Sequence, residues 1–202
     1  TFAVRHRFNG ISVGPLVKDL ADSDILEGRG DIAVDVTSSG NMVSTLKKAL
    51  NGTAALKLAD GALKGIDIAG SIRSAKAKLG ALRGEQTQAA DSQQRTDFSE
   101  LTATFKIANG VARNNDLDMK SPLLRVGGEG EINIGADSLN YLVKASIVGT
   151  SRGQGGREVE DLRGVTVPVR VSGPLASPSF KLDFGRAATD TAKQRLTDEL
   201  QK

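Results

Sequence analysis

A chain of 202 residues is long enough for one sizeable hydrophobic core or for two small ones. With 39% hydrophobic and 25% charged residues it is not a disordered polyelectrolyte, and 3% aromatics with no Trp exclude a row of rings for stacking bases or sugars. The net charge of +3 is mild, and no Cys with a single His leaves no disulfide framework, no thiolate metal centre and too few imidazoles for a histidine-based one.

The chain opens as TFAVRHRF, without Met and already inside an alternating strand pattern, which reads as a fragment of a longer protein. In this first strand Phe2, Val4, His6 and Phe8 share one face and Arg5 and Arg7 the other. Asn9-Gly10 predicts a two-residue hairpin turn with Phe8 opposite Ile11. GPLVKDL then suits a short helix with Pro15 at its first position. LEGRGDIAVDV is a strand with Leu26, Ile32, Val34 and Val36 on one side. SSGNMVSTLKKALNG reads as a helix with Val43, Leu46 and Leu50 on one stripe, ended by Asn51-Gly52. TAALKL is a strand leading to a turn at Asp60-Gly61, and residues 66–82 form a helix with Ile68, Ile72, Ala75 and Leu79 aligned. Between Lys64 and Arg83 five basic residues face one acid; a solvated face is the blander reading and contact with anionic lipid the sharper one.

Residues 84–96 hold no large aliphatic and read as an exposed, mobile loop, as does the stretch 149–158. Strands dominate afterwards. Leu101, Ala103, Phe105 and Ile107 lie on one face. Matching Ile107 to Val111 across Asn109-Gly110 predicts a three-residue loop with Gly110 left-handed. LLRVGGEGEINI places Leu124, Val126, Gly128, Gly130, Ile132 and Ile134 on one face. Two glycines on an apolar strand face mark a bulge, a bend or the close approach of another group. Leu139, Tyr141, Val143, Ala145 and Ile147 form the next stripe, and Val165, Val167, Val169 and Val171 another. Pro168 puts that strand at an edge or leaves it paired on one side. PSFKLDF is a last strand, and residues 186–201 a terminal helix. The recurrence of Asn-Gly at 9 and 109, and of Gly-x-Gly-x-Ile at 28 and 128, suggests a duplicated β unit.

No catalytic constellation emerges. His6 alternates with Phe on a strand, where a packed or edge imidazole outweighs catalysis. Gly127-Gly128-Glu129-Gly130 is followed by a strand and by Asn133, which rules out a dinucleotide fingerprint. The basic residues lack aromatic interleaving, so nucleic acid is not a partner, no cofactor is called for, and the chain reads as non-enzymatic.

Four stretches, LNGTAALKLADGALKGIDIA, TDFSELTATFKIANGV, SPLLRVGGEGEINIGADSLNYLV and LRGVTVPVRVSGPLASPSF, together with GPLVKDL, resemble the C-terminal region of the AsmA family of bacterial envelope proteins. The resemblance implies a periplasmic location on the outer side of the inner membrane of a Gram-negative bacterium. It also implies a membrane anchor outside this segment, a link to outer-membrane biogenesis and integrity, and a β-rich body able to bind or conduct phospholipid. Other envelope proteins are the second class of partner, and a scaffold or interaction module without lipid contact is the alternative function.

The expected fold is mainly β, of the α+β kind: one domain over residues 1–202, a large twisted antiparallel sheet able to form an open, curved groove, and three to four peripheral helices. Leu101, Phe105, Ile107, Leu124, Val126, Gly128, Gly130, Ile132, Ile134, Tyr141 and Val143 would line that groove. Whether the face is open or covered by helices distinguishes the two functions. In the groove reading, Gly128 and Gly130 keep space for acyl chains.

Overall fold

The computed structural model describes residues 1–72, 86–89, 91–148 and 166–182. They form one ten-stranded sheet, every adjacent pair antiparallel. In chain order the elements are β1 (Phe2–Ser12), α1 (Val13–Ala21), β2 (Leu26–Ser38), α2 (Val43–Lys48), β3 (Asn51–Gly65), β4 (Gln86–Ala89), β5 (Asp91–Ala108), β6 (Val111–Lys120), β7 (Leu124–Asn133), β8 (Ser138–Ile147), β9 (Thr166–Pro174) and β10 (Ser179–Leu182). Residues 68–72 are helical as well. Strand exceeds helix throughout the described residues, as the alternating patterns predict. The expected helix at 186–201 and the stretch 149–158 lie outside them.

The spatial order is β1-β2-β3-β5-β6-β7-β8-β9-β10-β4. β4 directly precedes β5 in the chain, separated from it by residue 90 alone, yet it pairs with β10 at the far end of the row. The strands from β5 to β10 therefore come round to the chain segment from which they started. At the other end, among the described residues, β1 has a ladder with β2 only. Among the described residues one side of the sheet thus closes on itself as a ring, and on the other β1 pairs with β2 alone.

The ring holds the main core. Leu58, Ile66, Ile72, Met119, Leu124, Val167 and Val169 are the largest fully buried side chains. The helical residues 68–72 deliver Ile68 and Ile72 to this cluster, and α1 contributes Val13 with Val17 packed beside it. Thr96 ties the entry to the 68–72 helix onto β5: its hydroxyl donates to the Ile66 carbonyl at 2.7 Å and accepts from the Ile68 N–H at 3.0 Å. A smaller cluster of Val36, Ile107 and Ala112 lies at the opposite end of the strands, with Leu50 and Ile134 packed against it.

Several local expectations are corrected. Asn9-Gly10 is not a turn: β1 runs through it, with Phe8 opposite Ile32 and Ile11 opposite Gly30, and a bulge between them at Gly10, φ 61°. The Gly10 N–H donates to Asp31 Oδ1 at 2.9 Å, and Arg29 Nε donates to the Gly10 carbonyl at 2.8 Å. Asp60-Gly61 is likewise a bulge inside β3, lying against β2, where Arg29 faces Ala59 and Glu27 faces Ala62, while the pairing with β5 runs through it unbroken. Residues 86–89 and 91–96, expected in a loop, are strand; ladder hydrogen bonds hold a polar strand without help from aliphatic side chains.

Asn109-Gly110 is a two-residue turn, both residues left-handed at φ 50° and 75°, with Ala108 opposite Val111. Ile107 therefore faces Ala112 and not Val111. Parity is restored by a bulge after Asn114, beyond which Leu117 and Met119 lie on the Leu101 face. The two Asn-Gly sites are thus a bulge and a turn, so they are not equivalent points of a duplicated unit. α2 is shorter than the sequence suggests, buries none of its residues, and leaves Met42 and Val43 exposed. At Pro168 the ladder visible among the described residues is with β8, since β10 pairs only with Val169 to Ser172.

Candidate functional site: the apolar inner face

Register assembles the alternating aliphatics into rows that cross the sheet. One row runs Val4, Val36, Gly52, Ile107, Ala112, Ile132 and Leu139. Another runs Ile11, Gly30, Leu58, Leu101, Met119, Val126, Ala145 and Val167. The residues singled out from sequence do lie on this one face. Leu101, Leu124, Val126, Tyr141 and Val143 belong to the main core. Ile107 belongs to the smaller cluster, Phe105 and Ile132 are half-buried and touch both, and Ile134 packs on the smaller one. They pack on one another and on neighbouring core residues, among them Ile68 and Ile72 of the 68–72 helix; α2 buries none of its own residues.

Gly128 and Gly130 are occupied space. A Cβ on Gly130 would stand 2.5 Å from the Asn140 carbonyl oxygen and 2.7 Å from Tyr141 Cγ; one on Gly128 would stand 2.7 Å from Val143 Cγ1. Both glycines face the β6 bulge, Gly130 pairing with Asn114 and Gly128 with Leu117. Glycine lets the β8 side chains lean across β7 where the strand partner is kinked. In β2, Gly28 likewise lies beside the Phe98 ring, as does Gly61 in β3.

The bulge is sealed by Asp116. Its carboxylate accepts the Thr104 N–H at 2.8 Å, the Thr104 hydroxyl at 2.5 Å and the Asn114 amide at 2.5 Å. The Thr104 hydroxyl, then its N–H, hold the Asp116 pKa below the usual value. Burial, with a smaller contribution from Asp116, pushes the Tyr141 hydroxyl well above the ordinary tyrosine range.

The accessible part of the apolar face is the part not singled out from sequence. On β1, Phe2, Val4 and Phe8 are 40%, 44% and 36% exposed, and the His6 ring lies 4.4 Å from that of Phe8. The alternation is plain in the sequence; that β1 ends the row of described strands is not. A concavity of 660 Å³ on the opposite, polar face is lined by residues including Lys106, Arg113, Glu129, Glu131 and Arg170. Its charges are interleaved, Arg113 lying 3.4 Å from Glu131. Among the described residues no three His, Cys, Asp or Glu side chains gather to hold a metal, and no helix is long and apolar enough to cross a membrane.

Comparison with known proteins adds the lineage. The chain is 23% identical over 196 residues to Protein AsmA of Escherichia coli (strain K12), an alignment covering 95% of this chain and 31% of that protein. It therefore spans about a third of the length of this curated relative. No solved structure matches. Residues 1–117, more than half of the chain, match the AsmA family, and the chain belongs to that family.

Proposed function

We propose that this chain is part of the C-terminal, periplasmic region of a non-enzymatic AsmA-type envelope protein. An anchor elsewhere in the parent protein would hold it at the inner membrane of a Gram-negative bacterium. It would serve outer-membrane biogenesis by binding phospholipid acyl chains on its aliphatic face. The observation that carries this reading is the exposed stripe of Phe2, Val4 and Phe8, which continues across Ile32, Val34 and Val36 of β2. Such a stripe favours apolar ligands because burial is worth about 25 cal/mol per Å².

The acyl-binding residues are then those of β1 and β2 with Phe105, Ile132 and Ile134 at the rim. The buried Leu101, Leu124 and Val126 act as floor and scaffold. The test is photo-crosslinking in cells at Val4 and Phe8, with Leu58 as the buried control, followed by lipid mass spectrometry of the full-length protein in mild detergent. Phospholipid adducts at Val4 and Phe8 but not at Leu58 are expected; equal labelling at all three, or none, overturns it.

A scaffold or protein-interaction role is the second reading, favoured by the near-complete burial of Leu124 and Val126, 1% and 3% exposed, under the chain's own side chains. Protein adducts without lipid at the same positions would select it.

A further inference from the structure

We infer that the seam between β5 and β6 at Thr104 is a latch that opens locally, parting the two strands there while the rest of the sheet stays folded. On either side of it the strands are in register, Thr102 facing Asp118 and Lys106 facing Arg113, but residues 103–105 have no register partner on β6. At Thr104 side chains take the place of the ladder. Its N–H donates to Asp116 Oδ1 at 2.8 Å, and its carbonyl accepts from Asn114 Nδ2 at 2.8 Å. The Thr104 hydroxyl adds a bond of 2.5 Å to Asp116 Oδ2. Backbone rungs part only when a strand moves, whereas this closure is released by turning two side chains.

The closed seam also carries a cost. Asn114 is 5% exposed and spends its amide nitrogen on Thr104 and Asp116, so its Oδ1 stays buried with no hydrogen-bond partner among the described residues. Opening hydrates that oxygen and removes the penalty. β7 adds no side-chain brace, since it sets Gly130 against Asn114 and Gly128 against Leu117. The flanking ladders are unbroken at this level. Leu56, Ala55 and Ala54 of β3 pair with Ala103, Thr104 and Phe105, and β7 pairs residue by residue with β8. Movement is therefore confined to the seam, where it bares Ala103 and Phe105 to the concavity walled by Thr104, Asn114 and Asn115. The inference does not depend on what the inner face binds.

The chain has no Cys, so one introduced thiol reports opening without background. The test is thiol labelling of Ala103→Cys, beside the seam, and of Ala145→Cys on β8, in rising sub-denaturing urea; the two alanines are 3% and 0% exposed. Labelling at position 103 should be nearly independent of urea, and at position 145 should steepen with it, as global unfolding does. Adding Asp116→Ala should speed labelling at position 103 about fivefold. Adding Val169→Ala, on β9, should speed it at position 145 and leave position 103 unchanged. Hydrogen exchange at the Thr104 and Ala145 amides of the unsubstituted chain gives the same comparison should a cysteine variant fail to fold. Equal urea dependence at the two positions, a Val169→Ala effect at both, or no effect of Asp116→Ala would overturn the inference.

Discussion

The ring of Tyr141 occupies the place where a side chain on Gly130 would stand, with Cγ 2.7 Å from the position of its missing Cβ. Larger residues at Gly130 or Gly128 must therefore displace β8 side chains and backbone that are already packed. Gly128→Leu or Gly130→Leu should each cost about 1–3 kcal/mol by overpacking. Urea denaturation measures this, and an unchanged midpoint would show that β7 and β8 can part without loss.

Thr96 is 5% exposed and serves Ile66 and Ile68 through one hydroxyl. Thr96→Val keeps the shape and leaves a backbone carbonyl and an N–H without that partner. A loss of about 1–3 kcal/mol is expected. Hydrogen exchange should locate the loosening at residues 66–72, whereas protection unchanged there would dissociate the hydroxyl from the helix entry.

Asp116 makes stability depend on pH with a definite sign. Its folded pKa lies below the ordinary aspartate value of 3.8, so the carboxylate's contribution is full above that value and fades as pH falls through the folded pKa. Asp116→Ala should lower stability at pH 7 by about 1 kcal/mol, since the Thr104 N–H loses its partner. The gap between wild type and variant should narrow as the pH falls below 3.8. Thermal melts across that range test it; a gap that widens in acid would contradict the assignment.

At Gly110 the conformation and the surroundings forbid a side chain together. Its φ is 75°, and a Cβ would lie 2.5 Å from the Lys47 carbonyl oxygen. Gly110→Val should destabilise by more than about 1 kcal/mol. An unaltered melting temperature would mean that α2 and the turn separate easily.

Strands were legible wherever one face is buried, because a one-residue slip would expose the whole aliphatic set. Leu101 to Ile107 and Tyr141 to Ile147 are such cases. Turn chemistry was less decisive: Asn-Gly supplies positive φ equally to a hairpin and to a bulge, and Asn9-Gly10 and Asn109-Gly110 took different routes. At Asn9-Gly10 the chain runs on into α1, so the strand that pairs with β1 arrives only after the helix. The parity break after Asn114 leaves no aliphatic signature, since Asn115 and Asp116 are polar in either register. The largest gap was coverage of the face. That depends on β4 meeting β10, a pairing between segments far apart in the chain whose polar residues show no preference for each other.

That return of β4 gives the inner surface a direction. The layer of Leu58, Leu101 and Met119 is filled by the chain's own side chains, whereas Phe2, Val4 and Phe8 on β1 stay accessible. Burial on this face thus grades from nearly complete among the returning strands to slight at β1, so truncating Leu58 should cost the fold far more than the same change at Val4.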